Sequence, residues 1–169
     1  MAHNICALVI EGPYDTALAA SLDLRPLLAH GALTVLPIDH HWSAVQAAQR
    51  GRTDALDLPE IPFLDELGGV PHEAVIADIV AELTGNAAPR FALIKTEYFG
   101  GAGEQCAFAF IGERRITTGL SINEALRALD VVATDGRDEL ETIGLVHVRH
   151  NPGYLGGYAA RARALRAGP

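Results

Sequence analysis

Six consecutive apolar residues near the start of the chain constrain its fold more than any other feature. Residues 5–10, ICALVI, form an uninterrupted run of the length of one β-strand. A strand with one face in water alternates apolar and polar side chains, whereas a continuous run is typical of a strand covered on both faces. The run therefore predicts a central strand of a sheet.

A second apolar run, 33–38, indicates the next strand. Pro37 lies in it and, because proline donates no ladder hydrogen bond, it predicts an edge strand or the end of a strand. Between the two runs, Asp15 is placed to accept backbone N–H bonds at the start of a short helix that extends to about Leu22. This order predicts a strand–helix–strand unit.

Two further strand-like runs, 91–97 and 105–111, are separated by seven residues rich in glycine. Their spacing predicts a β-hairpin with an elaborated loop. The second run places two phenylalanines on one face and two alanines on the other. A helix can therefore approach the sheet closely on the alanine side.

Helix signals recur along the rest of the chain. Asp39 is placed to cap a helix over 40–50 that ends at Gly51. Ser121 and Glu124 have the spacing of a capping box, which predicts a helix through Leu129. Other patterns predict a helix from Pro71 to the terminating Gly85, a strand over 140–148 and a C-terminal helix over 154–166.

These elements predict one globular domain over residues 1–169, in the α/β or α+β class. We expect a mixed β-sheet with a central hairpin and helices packed on at least one face. A chain of 169 residues that is 49% hydrophobic is long enough to bury a sizeable core.

Composition and charge disfavour several classes of function. The net charge of −8 opposes binding to the phosphate backbone of nucleic acids. No apolar run approaches the roughly 18 residues that a membrane span needs, and the N-terminus lacks a signal-peptide pattern, so we expect a soluble cytoplasmic protein. Cys6 and Cys106 lie in apolar runs and are predicted to be two inert, buried thiols.

The glycine-rich segment 96–105 is a candidate binding loop. Its glycines would let the backbone bend and present side chains to a protein partner; these binding candidates are Tyr98, Phe99, Glu104 and Gln105. The segment lacks the lysine and hydroxyl residue that end a P-loop, so no nucleotide or other cofactor is expected. The structural alternative is a tight hairpin that needs glycines for its turn.

A second group of residues indicates acid–base chemistry. Lys95 and Glu97 share one strand face, and in an apolar cleft the pKa of Glu97 would rise toward that of a general acid or base. His40, His41 and His150 are the candidate imidazole groups. Their spacing matches no metal-site pattern, so no metal is expected.

The position of the first turn adds a structural hypothesis to this chemistry. Glu11 follows the first strand, in a place that often carries a site in open α/β sheets. A polar cleft would form if the sheet order brought it beside Asp39, the two histidines that follow it, and Glu97. The alternative for Lys95 and Glu97 is an ordinary ion pair at the surface.

The run TEYFGG at 96–101, continued to Gln105, and the later run INEALRAL at 122–129 resemble small uncharacterised bacterial proteins, some of them of the toxin-immunity type. The resemblance covers about a quarter of the chain and carries no functional residue with it. It implies binding to a protein partner, and an acidic body would suit a basic toxin.

Two classes of function follow from the sequence. The first is a non-catalytic cytoplasmic binding protein that uses the glycine-rich hairpin loop 98–105 to contact a partner. The alternative is a small hydrolase-like enzyme with Glu97 and one of His40, His41 or His150 in a polar cleft. A homo-oligomer is compatible with either class.

Overall fold

One antiparallel sheet forms the centre of the molecule. The computed structural model describes residues 3–63, 68–99 and 102–167. Within them the sheet has six strands in the order β2-β3-β1-β4-β5-β6. The strands are β1 (His3–Glu11), β2 (Leu28–His30), β3 (Leu33–Pro37), β4 (Arg90–Phe99), β5 (Ala102–Ile111) and β6 (Arg114–Arg115).

Helices cover both faces of this sheet. One face packs against α1, α2, α3 and α6, and the other packs against α4 and α5 with the turn that follows them. The fold class and the cover of at least one face are therefore as expected. The helices are α1 (Thr16–Ser21), α2 (His40–Arg50), α3 (Val75–Thr84), α4 (Ile122–Arg127), α5 (Glu139–Thr142) and α6 (Gly157–Ala167).

The apolar run at 5–10 is a central strand, as predicted, and each of its residues is at most 4% exposed. Cys6, Leu8 and Ile10 belong to one core cluster, whereas the alternate residues of β1 belong to the cluster on the opposite face. Full burial of a large aliphatic side chain stabilises a fold by about 1.5–3 kcal/mol. A strand that contributes to both cores is therefore apolar throughout.

The ladders that join the six strands are antiparallel. Parallel pairing occurs at an isolated bridge between Asn4 and His150. The predicted strand–helix–strand unit exists, but β1 and β3 run in opposite directions and a short strand, β2, lies beyond β3. Pro37 is the last residue of β3, so it marks the end of a strand and not a sheet edge.

Two helix caps are as predicted. Oδ1 of Asp15 accepts hydrogen bonds from the backbone N–H groups of Ala17 and Leu18. Oδ1 of Asp39 accepts from the N–H of Trp42 at 2.6 Å, and α2 ends at Gly51 in the left-handed conformation. The helix predicted from 71 begins later, at Val75, and also ends at a left-handed glycine.

The capping box predicted at Ser121 is wrong. Ser121 precedes α4 but makes no side-chain cap bond. The carboxylate of Glu124 instead accepts from the N–H groups of Thr118 at 2.9 Å and Gly119 at 3.2 Å, and these bonds lower its pKa. Glu124 therefore closes the preceding turn and does not return to its own helix start.

The strand predicted over 140–148 is also wrong. Asp138 and Glu141 form a capping box that starts α5, and Leu145–His147 is a 3-10 turn. The capping bonds and the left-handed Gly144 between the two helical turns oppose an extended chain. The predicted C-terminal helix is present as α6, after a 3-10 turn over Gly153–Gly156.

The predicted hairpin is present, but its two strands extend two and three residues further into the loop than the sequence indicates. Tyr98 pairs with Gly103 and Phe99 pairs with Ala102, so most of the predicted loop belongs to the ladder. A Cβ at position 103 would collide with the backbone of Glu97, so glycine permits this pairing. The remaining loop glycines, 100 and 101, lie outside the described residues.

Candidate functional site

A crevice opens beside the N-terminal half of β1, where β3 leaves the sheet. The N–H of Ile38 still donates to the carbonyl of Cys6 in β1 at 3.0 Å, and after it the chain turns through Asp39 into α2 and leaves β1. Residues 149–151 occupy the vacated position: the N–H of Asn4 donates to the carbonyl of Arg149 at 2.8 Å. Small-molecule sites are typically concave clefts of this kind.

Asn151 holds this C-terminal segment against the sheet. Its Oδ1 accepts from the N–H of Cys6 at 3.2 Å. Its Nδ2 donates to the carbonyl of Cys6 at 3.0 Å and to that of Ile38 at 2.7 Å. One amide therefore joins β1, the end of β3 and the C-terminal segment, which fixes one wall of the crevice.

The crevice contains a cavity of about 420 Å³, which we call the cleft. β1 and β4 form its floor, while the start of α2, Gly68 and residues 150–152 form its walls. Its volume is within the range of about 300–1,000 Å³ that is usual for small-molecule sites. The polar side chains that line the cleft are those of Asn4, Asp39, His40, Lys95, Glu97, His150 and Asn151.

Lys95 lies at the floor of the cleft and is only 9% exposed. Its Nζ lies 3.3 Å from Oδ1 of Asn4 and 3.7 Å from Oε2 of Glu97. An ammonium group has three donors, and taking it out of water is costly unless those donors are satisfied. Within the described part of the chain, the contacts of Lys95 amount to one long hydrogen bond and one loose ion pair.

Cys6 and Cys106 flank Lys95 in one row across β1, β4 and β5. Burial raises the pKa of both thiols to about 12, so they are neutral at physiological pH. Two strand spacings of about 4.8 Å separate their backbones, which is too far for a disulfide. Both are free in the structure, which agrees with the prediction of buried thiols.

His40 forms the side of the cleft at the first turn of α2. Burial, followed by repulsion from neighbouring His41, lowers the pKa of His40. The two imidazole rings lie 3.8 Å apart between centroids. A Cβ at position 69 would lie only 3.0 Å from Cγ of His40, so Gly69 lets the chain pass close to the ring. Because its pKa is lowered, the imidazole of His40 is a neutral group at pH 7.

The structure brings together three of the four acid–base candidates. Glu97, His40 and His150 line the cleft. His41 does not line it, because its helical position directs it elsewhere, and its buried Nδ1 has no hydrogen-bond partner among the described residues. The hypothesis that Glu11 lies beside these residues is wrong, because Glu11 does not line the cleft.

Glu11 lies at the opposite end of β1 from the cleft. Its carboxylate forms two hydrogen bonds of 2.7 Å with Arg90, which also contacts Asp130. The antiparallel sheet explains this separation: Glu11 ends β1, whereas Lys95 and Glu97 pair with the start of β1. A parallel neighbour would have brought strand ends of the same kind to one edge.

The four binding candidates lie at the far end of the β4–β5 hairpin, outside the lining of the cleft. Tyr98 and Phe99 belong to β4, while Glu104 and Gln105 belong to β5. Phe99 is 82% exposed. The expectation of a loop is therefore replaced by an extended ladder that ends in an exposed aromatic ring.

Lys95 is the residue that sequence reasoning placed on the correct face but did not select as a site candidate. It is the only lysine of the chain, and it lies inside an otherwise apolar strand. A charged side chain in a run that predicts burial is itself a signal of a polar site. Asn4 and Asn151 gave no comparable signal, because their positions depend on contacts between distant segments.

Groups of three or more histidine, cysteine or acidic side chains that could hold a metal ion are absent from residues 3–63, 68–99 and 102–167. In the same ranges, no helix is long and apolar enough to cross a membrane. Comparison of the chain with family models, curated proteins and solved structures finds no match in any of the three.

Proposed function

We propose that this protein is a small, hydrolase-like enzyme that binds a small polar molecule in the cleft and acts on it by acid–base chemistry. The observation that supports this proposal is the convergence of Lys95, Glu97 and His40 on one cavity. A lysine that is 9% exposed and poorly satisfied is unfavourable for stability. A ligand that accepts its remaining hydrogen bonds would account for its retention.

Each of these three groups has a role in the proposed reaction. Glu97 is 40% exposed, so solvent reaches its carboxylate, which takes a proton from water as the water oxygen bonds to a substrate carbonyl carbon. Lys95 donates a hydrogen bond to the carbonyl oxygen as negative charge develops there. When the bond to the leaving oxygen or nitrogen breaks, the leaving atom takes up the proton that Glu97 received from water, and in this proposal neutral His40, which lines the same cleft, relays it.

The direct test is hydrolysis of a panel of small esters and amides by the wild-type protein and by Glu97→Gln and Lys95→Met. A general base typically contributes 10²- to 10⁴-fold, so we expect each variant to lose at least about 100-fold in rate. Glu82→Gln is the matched control, since Glu82 is half-exposed on α3 and does not line the cleft. Equal rates in all four proteins would overturn the proposal.

Binding can be measured separately from catalysis, because the chain contains one lysine. Lysine-selective isotope labelling gives a single side-chain Nζ and Cε signal in the NMR spectrum. A small amide that occupies the cleft should shift this signal, and Glu97→Gln should alter the shift. If no member of the panel moves the signal, the cleft is not the binding site.

A second candidate function is supported by the exposure of Phe99. An aromatic ring that is 82% exposed at the end of a hairpin is available as an anchor in a protein interface. The partner would be a protein, as the resemblance to immunity-type proteins implies. Tyr98 and the neighbouring carboxylate of Glu104 would complete the contact surface.

The second candidate is tested by affinity capture from the source lysate with mass-spectrometric identification. Replacing Tyr98 and Phe99 by alanine should weaken capture of a partner while the thermal unfolding curve stays close to that of the wild type. Lys95→Met serves as the control, because it changes the cleft and leaves the hairpin end intact. Undiminished capture by a folded double variant would exclude this surface.

A further inference from the structure

A second cavity adjoins the cleft and differs from it in chemistry. Its volume is about 480 Å³, and its lining is mainly apolar. We call it the apolar cavity. His40 lines both cavities. Gly68 lines the cleft, and the next residue, Gly69, lines the apolar cavity. The lining side chains that matter here are His40, Ala44, Leu58, Ile61 and Val70.

We propose that the cleft and the apolar cavity together bind a neutral amphiphile, with a carbonyl head such as an amide or ester in the cleft and an apolar chain in the apolar cavity. This inference rests on the proposed function and specifies its substrate class. The shared ring of His40 is the border between head and chain.

The charges around the cleft favour a neutral head. The ammonium of Lys95 faces the carboxylate of Glu97 at 3.7 Å, so each offsets the charge of the other. Asp39 uses one carboxylate oxygen to cap α2 through the N–H of Trp42. A charged head group would therefore be attracted by one of these two side chains and repelled by the other. A neutral carbonyl oxygen only accepts a hydrogen bond from Lys95.

The lining of the apolar cavity favours a hydrocarbon chain. Most of its surface is apolar: Leu58, Ile61 and Val70 present aliphatic side chains, and Ala44 on α2 leaves room beside them. The polar side chains of the lining are those of Glu60, His72 and Arg166, which are exposed, and that of Glu73, together with His40. Each methylene of the ligand that is buried in an apolar cavity raises its affinity about fourfold. Chain length is therefore the variable that separates this inference from binding in the cleft alone.

The experiment compares butanamide, octanamide, octanoate and octylamine by titration against the lysine-labelled protein. We expect all bound amides to shift the Lys95 signal and octanamide to bind at least tenfold more tightly than butanamide. Octanamide should also bind more tightly than the carboxylate and the amine of equal chain length. The wild-type series tests the inference even if a variant fails to fold.

Variants on one face of α2 locate the chain. Ala44→Phe fills the apolar cavity and should reduce the affinity for octanamide to that for butanamide. Ala48→Phe is the matched control, because Ala48 is exposed on the same helix and does not line the apolar cavity. Full octanamide affinity in Ala44→Phe would place the chain elsewhere and overturn the inference.

The outcomes also distinguish this inference from the proposed function. Equal affinity for butanamide and octanamide, with a shift of the Lys95 signal by both, would overturn the inference and leave the cleft as a binding site. Tighter binding of octanoate or octylamine would overturn the neutral head. No shift of the Lys95 signal by any amide would overturn both.

Discussion

At the scale of single residues, Lys95 is the position where stability and the proposed chemistry oppose each other. Its backbone lies between those of two buried cysteines, and its ammonium has a 3.3 Å hydrogen bond to Asn4 and a 3.7 Å ion pair with Glu97. A core optimised only for stability would place an apolar side chain there. Proteins retain such costs at sites that bind or react.

Lys95→Met tests this conflict directly. Methionine has a similar length and needs no hydrogen bonds, and Glu97 remains accessible to water. We therefore expect a free energy of unfolding that is unchanged or raised by up to about 1 kcal/mol, together with loss of activity in the cleft. Urea denaturation of both proteins measures it. A loss of more than about 2 kcal/mol would indicate that Lys95 has a structural role instead.

His40 makes stability depend on pH in a defined direction. Burial, and to a smaller extent repulsion from His41, lowers its pKa in the folded state below 6.5, the ordinary value for histidine. The unfolded chain therefore binds the proton more readily, so this contribution to stability is complete above pH 6.5 and declines as the pH falls through that value toward the folded pKa. Below the folded pKa it declines no further.

Removing the imidazole should reduce this decline. For His40→Gln we expect a smaller difference in the free energy of unfolding between pH 7 and pH 5.5 than for the wild type, as measured by urea denaturation at each pH. His3, whose pKa burial also lowers, is present in both proteins and maintains part of the slope. Identical slopes would mean that His40 is not held neutral in the folded protein.

At the scale of elements, the cleft depends on how the ends of β3 and α2 meet a distant segment. β3 ends at Pro37, Asp39 starts α2 two residues later, and residues 149–151 take the open place beside β1. Each local turn has an evident cause in the sequence. The contact between them is made by the three side-chain hydrogen bonds of Asn151, together with the backbone hydrogen bonds that join Asn4 to Arg149 and Asn151.

Asn151→Ala should loosen this wall of the cleft. Each of its hydrogen bonds contributes about 0.5–1.5 kcal/mol, so we expect a loss of about 2 kcal/mol in the free energy of unfolding. Amide exchange at Cys6 should also become faster, because its N–H loses the acceptor Oδ1. Asn86→Ala is the control, because Asn86 makes one exposed hydrogen bond, which it accepts from the N–H of Ala88. We expect this variant to lose less than about 1 kcal/mol, about half of the loss in Asn151→Ala. A smaller loss in Asn151→Ala than in the control would contradict this role.

At the scale of the whole molecule, one sheet is shared by two cores. Trp42 on α2 belongs to the core on one face, and its indole N–H donates to the carbonyl of Leu22 at 2.9 Å. α4 and α5 belong to the core on the other face. Since β1, β4 and β5 contribute side chains to both cores, neither face can lose its cover without exposing the sheet.

The shared sheet predicts cooperative unfolding. Trp42 is the only tryptophan, so its fluorescence reports on one face, while far-UV circular dichroism reports on all helices and strands. We expect the two urea transitions to coincide. A fluorescence transition at a clearly lower urea concentration would show that the face packed by α2 unfolds separately.

The elements that the sequence predicted correctly have local causes. The apolar run of β1, the carboxylates of Asp15 and Asp39 and the glycines after α2 and α3 act within one strand or one helical turn. The errors concern competition between partners at short range: Glu124 closes a turn before its helix, and Gly103 lets the hairpin ladder continue. Sequence spacing does not decide which of two available partners a side chain takes.

The sequence by itself determined the central strand, the main helices and the presence of Lys95 and Glu97 on one strand face, because the periodicity of strands and helices is a local property. Only the tertiary structure decided which distant groups join them. The antiparallel order places Glu11 at the end of β1 that lies away from the cleft, and the bridge between Asn4 and His150 forms one wall of the cleft. Strand direction and pairing are set by packing of the whole chain, which no local pattern records.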